Sequence, residues 1–218
     1  MYTEKGVYDM AGSTSVQQVY DYVREKIISK ELFPGNRIVE EDLARAMHTS
    51  RTTVRGAITR MSYDGLIDLV PNCGAFVAKP TFVDMNHVYA VRTVLEVEAT
   101  RLAVHRITDA ALVRMEQNFE EQLRLTQAYS MSKYVELNRS FHWEIIQAAE
   151  NEYIEKFLHE LFNKTAIFLT FYDQTGTNRE SNRTHKNLLE ALKRRDEAAA
   201  IEATKADVVC AAACITIT

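Results

Sequence analysis

The stretch HTSRTTVRGAITRMSYDG, residues 48 to 65, decides the fold of the N-terminal part of this chain. Its apolar residues recur at the spacing of helical turns and mark one face: Val54, Ala57, Ile58 and Met61. Its arginines stand near the opposite face: Arg51, Arg55 and Arg60. Ser50 suits the N-cap position, and Gly65 suits the end of the helix. The pattern predicts an amphipathic helix whose basic face meets either solvent or a polyanion.

Short elements on both sides of this helix complete a small domain. Helical periodicity and alternating strand patterns predict helices at 16–29 and 40–47 and strands at 66–70 and 75–79. The turn PNCG joins the two strands into a β-hairpin. Two short helices, a third with a polar N-terminus and a hairpin predict a winged helix-turn-helix at residues 15–80. Residues 1–14 are polar and without period, which predicts a flexible tail.

A winged helix-turn-helix would provide a partner for the basic face of this helix. Hydroxyls, backbone N–H groups and guanidinium forks at a helix N-terminus match phosphates and guanine edges in the major groove of DNA. The predicted DNA-binding residues of the helix and the hairpin tip are Ser50, Arg51, Thr52, Arg55, Asn72 and Gly74. An isolated helix with three arginines is more often just a solvated surface, so the interpretation depends on the neighbouring elements.

Composition limits the function classes. The 218 residues carry 26 Lys and Arg against 30 Asp and Glu, but residues 1–80 hold 10 of each. The acidic excess therefore lies in the C-terminal part, and any DNA-binding case depends on where charges sit. No apolar run reaches membrane-spanning length, and the N-terminus lacks the pattern of a signal peptide. Three cysteines without zinc-finger or disulfide-framework spacing favour the cytoplasm.

A family resemblance supports DNA binding. Residues 27–78 contain a PG turn, SRTTVR, a DGL helix end and GAFV in the order typical of GntR-family bacterial transcription regulators. The resemblance implies operator contacts from Ser50, Arg51, Thr52 and Arg55, with Gly74 on the wing. Two residues depart from the pattern: Glu41 stands where relatives often carry a DNA-contacting arginine, and Gly56 replaces a common glutamate.

The remainder of the chain is helical in pattern. The predicted helices are 84–105, 108–129, 131–149, 151–173, 182–194 and 197–214. Short polar breaks between them indicate antiparallel neighbours. We therefore expect a mainly α protein, in which an all-α antiparallel helical bundle at 84–214 follows the winged domain and serves effector binding and dimerisation.

Four polar residues of the bundle are spaced as a metal site requires. Asn138 and His142 are one helical turn apart. His185 lies 11 residues before Asp196, a candidate N-cap of a new helix, and Asp207 lies 11 residues after it. An antiparallel helix pair would bring His185 and Asp207 to the same height. Two imidazoles, one carboxylate and one amide would then form a divalent-metal site.

The bundle also resembles a known domain. VYAVRTVLEVEATRLAV, LNRSFHWEIIQAAEN and THKNLLEALKRRDEAAAIEA are similar to the FadR-type ligand-binding domain, in which an Asp-x3-His pair and two later histidines commonly hold zinc, nickel or manganese. Asn138 and Asp207 depart from that set, which implies weaker binding shifted toward manganese or iron. Two alternatives stay open: a polar pocket that binds an effector directly, and merely structural polar residues.

Arg92 is the predicted effector-binding residue, because effectors of the resembled family are mostly carboxylates and a guanidinium binds these bidentately. A salt bridge from Arg92 to Glu96, one turn on, is the alternative.

The combined expectation is a homodimeric transcription regulator, a repressor that binds a palindromic operator and responds to a small organic acid. It is not expected to be an enzyme. Two rival hypotheses remain: a metal-dependent enzyme that uses His142, His185 and Asp207, and a winged helix used only for protein contacts.

Overall fold

The computed structural model describes residues 15–173, 175 and 177–215. The predicted tail at 1–14 lies outside the described residues. Within the described part, no helix combines the length and apolar character needed to cross a membrane.

The N-terminal unit is a winged helix-turn-helix. Its elements are α1 (Val16–Ile28), β1 (Arg37–Ile38), α2 (Glu40–Ala46), α3 (Arg51–Tyr63), β2 (Ile67–Val70) and β3 (Gly74–Val77). The sheet has three antiparallel strands in the order β1-β3-β2, where the sequence predicted only the β2–β3 hairpin. β1 pairs Arg37 with Phe76 and Ile38 with Ala75. A strand of two residues is too short to show alternation, which explains why the pattern missed it.

Helix α3 forms as its sequence predicts. The Ser50 hydroxyl accepts a hydrogen bond from the Thr53 N–H at 3.1 Å and so caps the first turn. The predicted apolar face is buried against α1 and the sheet: Val54, Ala57, Ile58 and Met61. Gly56 faces α1, where a Cβ would lie 3.1 Å from a Val16 methyl group. The glutamate common at this position would therefore press against α1.

The C-terminal unit is a helical bundle. Its elements are α4 (Phe82–Ala103), α5 (Asp109–Leu125), α6 (Met131–Ala148), α7 (Glu152–Tyr172), α8 (Arg179–Lys193) and α9 (Glu197–Ala213). Helix α4 begins two residues earlier than predicted, because Thr81 and Asp84 form a capping box. Helix α8 begins three residues earlier and α5 ends four residues earlier than their patterns indicated.

The turn between α8 and α9 sets the height of the polar residues. The Asp196 carboxylate accepts a hydrogen bond from the Ala199 N–H at 3.0 Å, which caps α9 as predicted. Arg195 adopts a positive φ of 55° at the reversal. Helices α8 and α9 then pack antiparallel, and α9 also packs against α4. This arrangement places His185 level with Asp207.

Helix α7 joins the two units. Its Ile167 belongs to the core of the winged domain, and the rings of Phe171 and Phe33 pack with centroids 5.6 Å apart. The two units therefore share a packed interface.

Candidate functional sites

The exposed face of α3 carries two arginines beside acidic residues of α2. Arg51 Nη2 lies 2.9 Å from Glu41 Oε1, and Arg55 Nε lies 2.7 Å from Glu40 Oε2. The arginine side chains remain 59% and 68% exposed. Exposed ion pairs of this kind contribute about 0.2–1 kcal/mol. A phosphate or base edge can therefore replace Glu41 or Glu40 as the partner of the guanidinium at a small cost in free energy.

The other predicted DNA-binding residues lie around this face. Ser50 caps α3, and Thr52 is exposed in its first turn. Asn72 and Gly74 occupy the turn of the wing with φ values of 60° and 116°. Arg60 departs from the predicted basic face, because it donates to Gln17 on α1 at 2.5 Å.

Sequence reasoning missed Arg37, an exposed cation of β1. Its guanidinium runs alongside the wing, since a Cβ at Gly74 would lie 3.5 Å from Arg37 Nε. Arg37 and Asn72 border a groove of about 510 Å³ between the wing and the start of α2. The only signal was a basic residue shortly after the PG turn, in a strand that the pattern did not reveal.

A second cluster is buried inside the bundle. His142 Nε2 lies 3.2 Å from His185 Nε2 and 3.2 Å from Asp207 Oδ2, and His185 Nε2 lies 3.4 Å from Asp207 Oδ1. All three residues are buried, and their ligand atoms form a group that could hold a metal ion. The structure therefore brings together three of the four predicted metal-site residues.

Two outer residues orient the imidazoles. His185 Nδ1–H donates to Gln122 Oε1 at 2.7 Å, and His142 Nδ1 lies 3.3 Å from Glu96 Oε2. A neutral imidazole that donates from Nδ1 carries its lone pair on Nε2. Two Nε2 lone pairs therefore face each other 3.2 Å apart beside a carboxylate. A cation or an additional proton between the two nitrogen atoms would stabilise this arrangement.

The ionisation of the cluster suits a metal. Burial lowers the pKa of His185 to about 4, so its imidazole is neutral at pH 7. Burial alone would raise the pKa of Asp207, but the adjacent imidazoles and the Thr184 hydroxyl hold it below its ordinary value. Metal ions bind neutral imidazole and ionised carboxylate, the forms that prevail at His185 and Asp207.

The donor separations also fit a metal. Bonds of about 2.0–2.1 Å at tetrahedral angles hold neighbouring ligand atoms about 3.3 to 3.4 Å apart. The two Nε2 atoms lie 3.2 Å apart, and they lie 3.2 and 3.4 Å from Oδ2 and Oδ1 of Asp207 respectively, which is close to that spacing. Asn138, the fourth predicted residue, is buried and lines a cavity of about 60 Å³ that reaches Asp207.

Arg92 occupies a buried ion pair, the alternative that its spacing also allowed. Its Nε donates to Glu96 Oε1 at 2.7 Å, and Nη1 donates to Thr165 Oγ1 at 3.2 Å. Its guanidinium lies 4.4 Å from the centroid of the Phe162 ring. Burial opposes the charged form, yet the neighbouring Glu96 raises the pKa of Arg92. In this arrangement Arg92 is 1% exposed and contacts His142 indirectly, through Glu96.

Two family models match this chain. The model of the bacterial regulatory proteins of the gntR family matches residues 15–77, and the FCD domain model matches residues 87–208. The chain belongs to the GntR family and carries an FCD domain. GntR-family regulators bind DNA, FCD domains bind small-molecule effectors, and some FCD domains bind metals.

Relatives of this GntR-family chain are regulators. It is 25% identical over 186 residues to the HTH-type transcriptional regulator YdhC of Bacillus subtilis, spanning 84% of this chain and 83% of that protein. It is 24% identical over 181 residues to the HTH-type transcriptional repressor RspR of Escherichia coli, spanning 83% and 79%. It is 27% identical over 173 residues to the Nta operon transcriptional regulator of Aminobacter aminovorans, spanning 79% and 82%.

The fold comparison agrees with the family. The structure of E. coli McbR/YncC matches with a TM-score of 0.79 at 21% identity, covering 89% of this chain and 93% of that one. A GntR regulator from Rhodococcus sp. RHA1 matches with a TM-score of 0.76 at 22% identity, covering 91% and 95%. The chain is a transcription regulator and not an enzyme, so the metalloenzyme hypothesis is wrong.

Proposed function

We propose that this GntR-family regulator is a cytoplasmic homodimeric repressor that binds a palindromic operator and is controlled by a small organic acid. Residues 15–80 act as the DNA reader and residues 84–214 as the sensing and dimerisation domain. The observation that carries the proposal is the buried His142–His185–Asp207 cluster in a chain whose other unit exposes Arg51 and Arg55.

The operator contacts come from the N-terminal turn of α3 and from the wing. Ser50, Thr52 and the two arginines face the major groove, while Asn72 and Gly74 approach the adjacent backbone. Because Glu41 holds Arg51 by a single exposed pair, the contact with DNA replaces one charge partner by another.

His142, His185 and Asp207 would hold a divalent ion, Zn, Ni, Mn or Fe, and Asn138 would offer a further oxygen donor. The Nδ1 contacts to Gln122 and Glu96 support this assignment, since an imidazole that donates from Nδ1 leaves its Nε2 lone pair free for a cation. When bound, the ion supplies positive charge and open coordination positions to an incoming carboxylate.

The small cavity at Asp207 would give an effector access to the residues that would hold the ion. The described lining of this cavity contains Asp173, Glu180 and Asp207 and, among the residues that the structure describes, no lysine or arginine. An organic acid would be repelled by this lining without a metal ion. Effector binding should therefore depend on the metal, with Arg92 acting only through Glu96.

The homodimer is supported by an apolar stripe on α4. Val83, Val91 and Val94 lie on one face of this helix and are 58%, 48% and 69% exposed. Sedimentation of the parent should give twice the mass of the chain, and Val94→Asp should shift the protein toward monomer. A monomeric parent at micromolar concentration would contradict this part of the proposal.

The proposed DNA binding is tested with a duplex selected from a random-sequence library. Arg51→Ala and Arg55→Ala should weaken binding, and each lost phosphate contact should reduce the slope of log affinity against log salt by about 0.9. Arg101→Ala, an exposed arginine of α4 paired with Glu98, is the matched control. Equal binding by the parent and both α3 variants would refute the functional assignment.

A further inference from the structure

A buried polar chain crosses the interface between the winged domain and the bundle. Its centre is Asn163 of α7, which is fully buried. Asn163 Oδ1 accepts from Arg139 Nη1 of α6 at 2.7 Å, and Asn163 Nδ2 donates to the Tyr20 hydroxyl of α1 at 3.3 Å. One side chain thus connects three helices of the two units through directional hydrogen bonds.

The chain continues to the end of the recognition helix. Burial and the nearby negative charge of Asp64, the C-cap residue of α3, raise the pKa of the Tyr20 hydroxyl. The guanidinium of Arg60, in the last turn of α3, lies 4.7 Å from the centroid of the Tyr20 ring. A shift of Tyr20 would therefore change the contacts at the C-terminal end of α3.

The other end of the chain lies on the helix that carries the metal-site residues. Arg139 directly follows Asn138 and precedes His142 by three residues on α6. Its guanidinium lies 5.6 Å from the centroid of the Trp143 ring, so it is held against the same helix. A rotation of α6 that improves the position of His142 would also move Arg139.

The interface contains polar atoms whose hydrogen-bonding capacity is unused, although Asp64 Oδ2 lies 3.9 Å from Arg60 Nε. Among the described residues, Arg24 Nε and Asp64 Oδ2 are buried without a hydrogen-bond partner. Unsatisfied buried groups favour any movement that supplies a partner. A contact network with two alternative bonding patterns is the physical requirement for coupling between sites.

We propose that Arg139, Asn163 and Tyr20 form an interdomain latch, a set of positioning residues that transmits occupancy of the His142–His185–Asp207 site to helix α3. The inference rests on the proposed function, because it requires that this site binds a metal ion. It predicts that removing one of these hydrogen bonds leaves metal affinity unchanged but abolishes the effect of metal binding on α3.

The test is amide hydrogen exchange of the α3 segment with and without Mn²⁺, followed by mass spectrometry. In the parent, Mn²⁺ should change α3 exchange by about 5- to 150-fold, the usual range of coupling between sites. Tyr20→Phe removes only the hydroxyl and should reduce that change to less than about 2-fold, with Mn²⁺ affinity by calorimetry unchanged. Tyr22→Phe, which removes a hydroxyl from the same helix beside Lys26, should behave like the parent.

The outcomes separate the latch from the proposed function. If calorimetry shows no binding of Mn²⁺ or Zn²⁺ to the parent, the metal-dependent function fails and the latch fails with it. If Mn²⁺ binds the parent but α3 exchange does not change, or if Tyr20→Phe transmits as the parent does, the latch alone is overturned. A merely structural role of Tyr20 would change α3 exchange equally with and without Mn²⁺.

Discussion

Truncation of His142 to alanine should abolish stabilisation of the protein by divalent metal ions. Ligand that binds only the folded state at 100 times its Kd adds about 2.7 kcal/mol to the free energy of unfolding. For a chain of 218 residues, 1 kcal/mol moves the Tm by about 2–4 °C. The parent should therefore gain about 5 to 11 °C on saturation with the preferred metal.

His142→Ala should gain nothing, because the central donor of the cluster, 3.2 Å from each of the other two ligands, is removed. The substitution also leaves Glu96 without its imidazole partner and lowers the starting Tm. The measured quantity is therefore the metal-induced difference within each variant.

The assay is thermal unfolding by far-ultraviolet circular dichroism after removal of metal with a chelator. Zn²⁺, Ni²⁺, Mn²⁺ and Fe²⁺ are added in turn. His87→Ala, which removes an exposed histidine of α4 outside the cluster, is the matched control and should gain as the parent does. An equal gain in His142→Ala, or no gain in the parent with any of the four ions, would refute the reasoning.

Three further substitutions test other contacts. Glu40→Gln releases Arg55 from its ion pair and removes a negative charge near DNA. Operator affinity, measured by mobility shift, should therefore rise by about 1.4- to 5-fold. A fall in affinity would mean that Glu40 positions Arg55 for DNA. Gln122→Leu should lower metal affinity in calorimetry by about 10- to 100-fold, because leucine cannot accept the Nδ1–H of His185 and so cannot orient its imidazole. Unchanged affinity would contradict that role of Gln122. Thr81→Ala should cost about 0.5–2 kcal/mol in urea unfolding. Hydrogen bonds from Thr81 lower the pKa of Asp84 in the folded protein. Their contribution to stability is therefore present above the pKa of Asp84 in the unfolded chain and is lost as pH falls through its pKa in the folded protein. A cost of Thr81→Ala that does not shrink in acid contradicts this reasoning.

Local patterns predicted much of this structure. Helix α3 follows from its apolar period and from Ser50, since both the face and the cap depend on neighbours within one or two turns. The meeting of His185 with Asp207 follows from equal spacing on either side of the Asp196 turn. In each case the sequence separation alone determines the geometry.

Contacts that depend on helix rotation were beyond the sequence. Glu96 and Gln122 reach the two imidazoles from α4 and α5, and no local spacing relates them to His142 or His185. The sequence allowed two environments for Arg92: a guanidinium free to bind an effector, or an ion pair with Glu96 one helical turn on. Packing decided between them, because a fully buried guanidinium requires a counter-charge.

The position of Trp143 gives this protein an internal optical reporter. It is the single tryptophan of the chain, adjacent in sequence to His142, with its ring near Arg139 and 6.0 Å from the ring of His159. Indole emission responds to nearby charge and to hydration, and excitation at long ultraviolet wavelengths selects indole over the tyrosines. The unlabelled protein should therefore signal, by a change in emission, any rearrangement of α6 between the buried cluster and the winged domain.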